Sequence, residues 1–357
     1  MMAKFTDIFE DVTKQGTKIP TNLYLKNGLY PIIDQGQSEI AGYTNEKNGL
    51  FTDVPVIVFG DHTRVIKYVD SPCFLGADGV KLLKAKDKSA NYKYLYYALC
   101  NADIPNTGYN RHFKWLKEIE IPEYSSEEQI EIVAQLERVD SVISLRKQQL
   151  EKLDELVKSR FIEMFIGQGY PTKTIDEVSL VKGEYGAQSA SIEYDPSRPR
   201  YVRITDINDD GTLNNDFVSS INPMDDEQYR LEYGDFMFAR MGATVGKTYA
   251  FIEGNQIFAG YLIRYKLNQE LINPRYLYWY TRLDEYWNWV KLNQSGAAQP
   301  GINAKKYGSL QVPVPPMEFQ NQFAAFVEQT DKSKFEIQKS LNQLETLKKA
   351  LMQKYFG

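Results

Sequence analysis

The 357-residue sequence predicts an α+β protein built from two tandem mixed α/β domains, each followed by a long helix. Three observations support this fold class. The chain contains an internal repeat, two segments show the apolar spacing of long helices, and the remaining segments are β-branched runs bounded by Gly, Asp and Asn. Because one domain lies between the two helices in the chain, we expect the helices to pair as an antiparallel coiled coil.

The internal repeat is visible in two pairs of segments. Residues 119–140 resemble residues 310–331 at a constant offset of 191. Upstream, residues 91–99 resemble residues 273–281 at an offset of 182. The change of offset places about nine extra residues in the second copy, within 284–301. The order is the same in both copies, which indicates a duplicated chain.

The repeat divides the chain into four parts. They are a first domain at 1–122, a spacer helix at 123–166, a second domain at 167–316 and a second spacer helix at 317–357. Within the domains, β-branched runs predict strands at Val54–Gly60 and Tyr201–Ile207. The related aromatic segments Tyr94–Leu99 and Tyr276–Thr281 predict a short helix in each copy.

The two long helices are the clearest local predictions. The first begins with a capping box formed by Ser125 and Glu128. Each helix runs for about 40 residues, which is long for a globular helix and calls for a partner that covers its apolar stripe. The predicted coiled-coil core positions are Ile132, Leu136, Val139, Ile143, Leu150, Leu153 and Val157 in the first helix and Phe323, Val327, Ile337, Leu341, Leu344 and Leu351 in the second. The alternative is that each helix packs only on its own domain.

Composition limits the possible classes of protein. The net charge of −5 argues against indiscriminate nucleic-acid binding but allows cations clustered on one surface. The two cysteines, Cys73 and Cys100, provide no disulfide framework, and with His62 and His112 they provide no metal-ligand pattern. No apolar run is long enough to span a membrane, and the N-terminal segment lacks a secretory signal. We therefore expect a cytoplasmic, metal-free protein.

The sequence contains only incomplete versions of known catalytic motifs. Met241–Thr248 resembles a phosphate-binding loop, but Gly242 and Gly246 are separated by three residues instead of four, and a β-rich segment follows. An acidic residue two positions before a lysine, as many nucleases require, occurs nowhere in the sequence. Asn273–Tyr276 departs from the tetrad of base methyltransferases, and no nucleophile-elbow motif is present. We expect no enzymatic activity from this chain.

The order of several segments resembles the specificity subunit of type I restriction-modification enzymes. In the second copy these segments are 201–213, 229–251, 259–265, 273–280 and 295–331. The first copy has a divergent form of the same order, so the resemblance covers nearly the whole chain. No single motif is diagnostic, and the specificity of the resemblance comes from the order and its doubling.

This resemblance implies two target-recognition domains, each reading one half of an asymmetric, bipartite double-stranded DNA site. The helices would be the spacer and the docking surface for modification (methyltransferase) subunits, two per chain, with a restriction (translocase and nuclease) subunit completing the complex. A 40-residue helix is roughly 60 Å long, close to two turns of B-DNA. S-adenosylmethionine, ATP and Mg would be bound by partner subunits, and no cofactor or membrane by this chain. The alternative function is a tandem-domain protein-interaction scaffold that uses the coiled coil.

Candidate DNA contacts are Arg, Lys, Asn, Gln and their polar or aromatic neighbours in turn-like segments, because these side chains read base edges. In the first domain they are His62, Thr63, Arg64, Lys67, Tyr109, Asn110, Arg111, His112 and Lys114. In the second domain they are Arg203, Arg240, Lys247, Asn293, Gln294, Gln299, Lys305 and Lys306. Arg111 and His112 are the first choices, because aromatic residues flank a dense polar run there. The alternative for each is a solvated side chain or, for Arg203 and Arg240, a structural ion pair.

Overall fold

The computed structural model describes residues 1–76, 79–108, 110–296 and 300–357. The chain forms two compact units. Unit 1 consists of Met1–Gln148 together with Ile337–Gly357, and unit 2 consists of Gln149–Glu336. Each unit therefore contains one globular part and a segment of each long helix.

The strands of unit 1 are β1 (Met2–Lys4), β2 (Phe9–Asp11), β3 (Tyr30–Ile33), β4 (Gly42–Thr44), β5 (Val56–Gly60), β6 (Ile66–Val69), β7 (Phe74–Leu75), β8 (Val80–Ala85) and β9 (Glu120–Pro122). Unit 1 is built on an antiparallel sheet with the strand order β2-β8-β5-β6. The helices are α1 (Phe5–Ile8), α2 (Tyr92–Cys100), α3 (Phe113–Leu116) and α4 (Ser126–Phe165), which continues into unit 2. A second sheet has the order β4-β3-β7, with β3 and β7 parallel, and β1 pairs with β9.

Strand β5 is buried along its whole length because the sheet is covered on both faces. Side chains alternate between the faces of a strand. Accordingly, Ile57 and Phe59 pack with α2, α3 and α4 in one core, and Val56 and Val58 pack with β3 and β7 in another. This explains why the predicted strand reads as a continuous apolar run instead of an alternating one.

The strands of unit 2 are β10 (Thr172–Thr174), β11 (Ser179–Tyr185), β12 (Ser191–Glu193), β13 (Arg200–Val202), β14 (Val218–Ser220), β15 (Asp235–Ala239), β16 (Thr248–Ala250), β17 (Gln256–Phe258), β18 (Leu262–Leu267) and β19 (Gln311–Pro313). Unit 2 repeats the four-stranded antiparallel sheet of unit 1, with the strand order β11-β18-β15-β16. Its helices are α5 (Asp225–Gln228), α6 (Pro274–Tyr280), α7 (Asp284–Asn293), α8 (Ala304–Gly308) and α9 (Met317–Phe356), which continues into unit 1. Strands β13 and β17 are parallel, as β3 and β7 are, and β12 pairs with β14.

The predicted repeat is confirmed by the four-stranded sheet of each unit and by the order of the elements that follow it. Helix α6 follows β18 as α2 follows β8, and α8 precedes β19 as α3 precedes β9. Helix α7 lies in the segment where the sequence places about nine extra residues. The prediction of a strand through Tyr201–Ile207 was too long, because the chain turns into a 3-10 helix at Ile204 after β13 ends.

The two long helices, α4 and α9, have 40 residues each, as the sequence predicts. The capping box at the start of α4 is also confirmed. The Ser125 amide donates to Glu128 Oε2 at 2.8 Å, and the Glu128 amide donates to Ser125 Oγ at 3.2 Å.

The helices run antiparallel in both units. In unit 1, Asp140 Oδ1 of α4 lies 2.6 Å from Lys348 Nζ of α9. Further along α4, Lys147 Nζ lies 3.7 Å from Oε1 of Glu345, which precedes Lys348 in α9. In unit 2, Phe161 of α4 packs edge-on against Phe323 of α9, with ring centroids 5.2 Å apart, and Asp154 of α4 forms an ion pair with Lys334 of α9. Because each unit contains a segment of both helices, the alternative in which each helix packs only on its own domain is wrong.

Every predicted coiled-coil position is buried or half-buried. The fully buried positions near the helix ends also belong to the domain cores. Ile132 and Leu136 pack into the core of unit 1, and Val157, Phe323 and Val327 pack into that of unit 2. The assignment of the half-buried middle positions to a coiled-coil core stays a prediction. Across the described ranges, no helix is both long and apolar enough to cross a membrane.

Candidate nucleic-acid interface

The candidate residues of unit 1 gather where β5 ends and the chain turns toward β6. The His62 amide donates to Gln35 Oε1 at 3.2 Å, and Thr63 Oγ1 donates to the Gln35 carbonyl at 2.6 Å. The His62 ring nitrogen Nδ1 lies 3.2 Å from the Asn110 carbonyl. Three loops that are distant in sequence therefore meet here. We call Gln35, His62, Thr63 and Asn110 the unit 1 loop face.

Asp61 is the buried anchor of this face. Its amide donates to the Gly79 carbonyl at 2.6 Å, and its carbonyl accepts from the His112 amide at 2.8 Å. Its carboxylate Oδ1 accepts from the Phe113 amide at 2.8 Å and so caps the first turn of α3. Gly79 has φ +92°, and a Cβ there would lie 2.8 Å from the His62 ring and from Gln35 Oε1, so close packing requires glycine.

Two predicted contacts of unit 1 need correction. His112 is fully buried, and its Nδ1 donates to the Asp61 carbonyl at 3.0 Å, so it is a packing residue of the core. Lys67 is also buried on β6, where its Nζ donates to the Ser38 carbonyl at 2.6 Å and lies 3.5 Å from Asp34 Oδ1. Burial lowers the pKa of Lys67 below its ordinary value, and the Asp34 carboxylate partly offsets this. Neither side chain is available to a base edge.

The other candidates of unit 1 differ in their exposure and in whether their side chains already have hydrogen-bond partners. Arg64 has φ +63°, and its Nη1 donates to the Ile104 carbonyl at 2.9 Å. Lys114 is exposed, with Nζ 4.1 Å from the centre of the Trp115 ring. Arg111 is exposed and has no hydrogen-bond or ion-pair partner among the described residues. Tyr109 lies outside the described residues.

The equivalent place in unit 2 begins at Arg240, directly after β15. The Arg240 amide donates to the Tyr261 carbonyl at 3.0 Å, and the Arg240 carbonyl accepts from the Ile302 amide at 3.0 Å. These two bonds correspond to those of Asp61 with Gly79 and His112. The Arg240 guanidinium carbon lies 4.7 Å from the centre of the Tyr185 ring and 5.9 Å from that of Tyr261. We call Tyr185, Arg240 and Tyr261 the unit 2 loop face.

Two predicted cations of unit 2 are held in ion pairs. Arg203 Nη2 lies 2.8 Å from Oδ1 of the fully buried Asp206 and 2.7 Å from Asp216 Oδ2. Lys247 Nζ donates to the Ile207 carbonyl at 3.0 Å and pairs with Asp209 at 2.8 Å. Arg203 is therefore part of a structural ion pair, as the alternative interpretation of this residue proposed. Lys247 contacts Asp209, whereas Arg240 contacts the rings of Tyr185 and Tyr261.

The remaining candidates of unit 2 surround α7 and α8. Asn293 Nδ2 donates to the Trp289 carbonyl at 2.9 Å, and Lys306 Nζ donates to the Asn293 carbonyl at 2.7 Å. Gln294 and Lys305 are exposed, and their side chains have no polar partner within the described part of the chain. Gln299 lies outside the described residues.

The glycine-rich segment Met241–Thr248 is a connection between strands. Strand β16 begins at its last residue, Thr248, so the segment leads into a strand and lacks the helix N-terminus that a nucleotide-binding loop needs. Gly246 has φ +91°, and a Cβ there would lie 2.8 Å from Val290 of α7. Packing against α7 therefore explains this glycine. No group of three or more His, Cys, Asp or Glu side chains in the described ranges is placed to hold a metal ion.

The sequence did not single out Gln35, Tyr185 and Tyr261. Tyr185 is the last residue of β11, and aromatic residues are common in strands, so its sequence position does not indicate a binding role. Tyr261 and Gln35 lie just outside strands, and neither belongs to a cluster of cations that would mark a DNA contact. One signal in the sequence could have found Tyr261. The repeat aligns Tyr261 with Gly79, so the two residues occupy equivalent loops in the two copies.

The comparisons with known proteins agree with this architecture. The family model described as type I restriction modification DNA specificity domain matches residues 1–155 and 169–346. A protein of Methanocaldococcus jannaschii described as a putative type I restriction enzyme MjaX specificity subunit is 30% identical over 146 residues, which cover 39% of this chain and 34% of that protein. The match thus spans about a third of this relative's length.

Two solved structures share the fold. One is the type I restriction-modification S subunit from M. genitalium, with a TM-score of 0.63 at 18% identity, covering 100% of this chain and 96% of that one. The other comes from work on complex assembly and conformational transition of the type I restriction-modification system, with a TM-score of 0.57 at 18% identity, covering 100% and 97%. Because the family model matches nearly the whole chain, this protein belongs to the type I restriction-modification DNA specificity family.

Proposed function

We propose that this chain is the DNA-sequence-recognition subunit of a type I restriction-modification complex and reads an asymmetric, bipartite double-stranded site. The observation that carries the proposal is the pair of equivalent loop faces. Both follow the central buried strand of a repeated sheet, and both have the same two backbone bonds at Asp61 and Arg240. Their side chains differ, so each unit would select a different half-site.

The chain would direct other subunits to this site and catalyse no step itself. The partners are modification (methyltransferase) subunits, two per chain, and a restriction subunit that translocates and cleaves DNA. Those subunits would hold S-adenosylmethionine, ATP and Mg. The absence of nuclease, methyltransferase and nucleotide-binding motifs from the sequence supports this division of labour.

The charge of the chain bears on how it binds DNA. A net charge of −5 provides little general attraction for phosphates, which dominate the affinity of most DNA-binding proteins. We therefore expect most phosphate contacts, and most of the salt dependence of binding, to come from the partner subunits. The loop faces would supply the selectivity between sequences.

The test is to purify the chain with its cognate modification subunit and to measure binding to a randomised duplex library in the presence of competitor DNA. Sequencing of methylated sites in a host that expresses the system would give the two half-sites and their spacing. The expected result is a single asymmetric site in two parts. Co-purification without any preference among DNA sequences would contradict the proposal and would favour the protein-interaction scaffold.

A further inference from the structure

Arg240 differs from the other arginines of unit 2. Those others each donate a hydrogen bond to an oxygen atom of the protein, either a carboxylate, an amide or a carbonyl; they are Arg160, Arg198, Arg200, Arg203, Arg230, Arg264, Arg275 and Arg282. Among the described residues, the only polar contact of the Arg240 side chain is a 3.6 Å contact from Nη2 to the Met241 sulfur, which is a weak acceptor. Its guanidinium donors therefore remain available for a ligand.

Two tyrosine rings hold this guanidinium. Tyr185 and Tyr261 lie within cation–π distance of it, and both remain partly open to solvent, with 41% and 54% of their surface exposed. Such contacts restrict the rotamers of a long side chain but leave its N–H groups unpaired. An arginine held in this way loses less conformational entropy when it binds.

The backbone around Arg240 is also restrained. Its amide and carbonyl are bonded to Tyr261 and Ile302, and the Gly242 amide donates to the Pro300 carbonyl at 2.9 Å. A Cβ on Gly301 would lie 3.3 Å from the Arg240 carbonyl, so the two chain segments are in close contact. The position of the guanidinium is thus defined by three segments of the unit.

In unit 1 the residue that corresponds to Arg240 is Asp61, and its side chain has a structural role. Helix α3 has no capping side chain of its own at His112, and Asp61 supplies the acceptor for its first turn. Helix α8 is capped by Asn303, whose Oδ1 accepts from the Lys306 amide at 2.9 Å. Because α8 carries its own cap, position 240 is free of this structural role.

We infer that Arg240 is the residue by which unit 2 selects a guanine, donating in bidentate fashion to its O6 and N7 in the major groove. This inference rests on the proposed function and specifies one position of one half-site. The planar fork of arginine matches the two acceptors of guanine, and a single-point lysine does not reproduce that match. Tyr185 and Tyr261 are positioning residues that act through Arg240.

The test compares wild-type and variant chains in the complex with the modification subunit, by selection from a randomised duplex library and by binding to the selected site. Arg240→Ala and Arg240→Lys should each lose about 10- to 100-fold of the preference for guanine at one position of one half-site. All other positions should keep their preference. Arg230→Lys, a matched change at an exposed arginine of unit 2 that donates to Asn255 Oδ1, should leave the selected site unchanged.

A second pair of variants separates positioning from folding. Tyr261→Leu removes the ring and should weaken the same guanine preference several-fold, whereas Tyr261→Phe keeps the ring and should retain it. Binding to non-cognate DNA should be unchanged in both. If Arg240→Ala fails to fold, Arg240→Lys decides the question, since it keeps the charge and most of the stem.

The outcomes distinguish this inference from the proposed function. A wild-type complex without sequence preference would contradict the proposed function itself. A wild-type complex that selects a bipartite site, together with an Arg240→Lys variant of unaltered selectivity, would overturn only the inference. A uniform loss of affinity for all sequences would also overturn it, because that result marks a phosphate contact.

Discussion

At the scale of single residues, exposure and hydrogen-bond partners separate the candidates for DNA contact. Arg111 and Arg240 have no acidic or carbonyl partner in the described part of the chain, whereas Lys67, His112 and Arg203 are occupied by the fold. A side chain whose donors are already satisfied would have to break those bonds to contact a base. The free arginines are therefore the better candidates for sequence selection.

The first prediction concerns Arg111. Replacing it with alanine should cost about 1–3 kcal/mol of binding to the cognate site and relax the preference at one half-site, if the side chain contacts guanine. Arg138, an exposed arginine on α4, is the matched control, and Arg138→Ala should leave the selected site unchanged. Library selection with the assembled complex measures both. An equal loss on every sequence would identify Arg111 as a phosphate contact instead.

The second prediction concerns the buried cap of α3. Asp61→Ala removes the acceptor of the Phe113 amide and should lower the free energy of unfolding by about 1–3 kcal/mol. Asp61→Asn keeps an oxygen acceptor and should cost less. Asp103, an exposed carboxylate of the same unit, provides the control variant Asp103→Ala. Urea unfolding of the three variants compares them, and equal stability of Asp61→Ala and the control would refute the capping role.

At the scale of elements, the same bonds tie each long helix to its domain in both copies. Gln129 Nε2 donates to the Tyr124 carbonyl at 3.0 Å, and Gln320 Nε2 donates to the Pro315 carbonyl at 2.7 Å. The two glutamines and their acceptors are related by the offset of 191 that the sequence shows. Thus a repeated residue repeats its contact, and the start of each helix is fixed in the same way.

The third prediction uses this internal pair. Gln320 is fully buried and also accepts from the Asn273 amide at 2.8 Å and donates to the Leu271 carbonyl at 3.0 Å, whereas Gln129 is half-buried. Gln320→Ala leaves buried backbone groups without partners, each worth about 1–3 kcal/mol. It should therefore destabilise the chain more than Gln129→Ala does. Thermal or urea unfolding tests this, and the reverse order would show that burial does not set the cost.

At the scale of the whole molecule, duplication gives two units with separate hydrophobic cores. The core that contains Phe161 and Tyr276 consists of residues of unit 2. The core that contains Phe59 and Leu136 consists of residues of unit 1. The same topology therefore carries two loop faces whose side chains can differ without disturbing either core. This separation suits a protein that reads two unlike half-sites.

The fourth prediction follows from this separation. The double variant Arg111→Ala/Arg240→Ala should relax both half-sites, and its loss of cognate binding energy should equal the sum of the single losses within about 0.5 kcal/mol. Titration of the assembled complex with the cognate duplex measures the four corners of the cycle. A marked departure from additivity would mean that the two units do not recognise DNA independently.

Patterns along the chain are enough to predict the repeat, the fold class and the two long helices. These features depend on local signals: apolar periodicity predicts each helix, and the Ser125–Glu128 capping box lies within one turn. The offset between copies also located the extra segment that forms α7. These features can be predicted from the sequence because each depends on residues that are close together in the chain or on the similarity of the two copies.

Which candidate side chains have unsatisfied donors depends on contacts between distant parts of the chain. The partner of His112 is Asp61, 51 residues away, and that of Lys67 is Ser38, 29 residues away. Arg240 likewise meets Tyr185 and Tyr261 only because β11 and β18 bring them to the end of the same sheet. Residue type indicates what a side chain can bind. Whether its donors are already satisfied depends on strands that the fold brings together from distant parts of the chain.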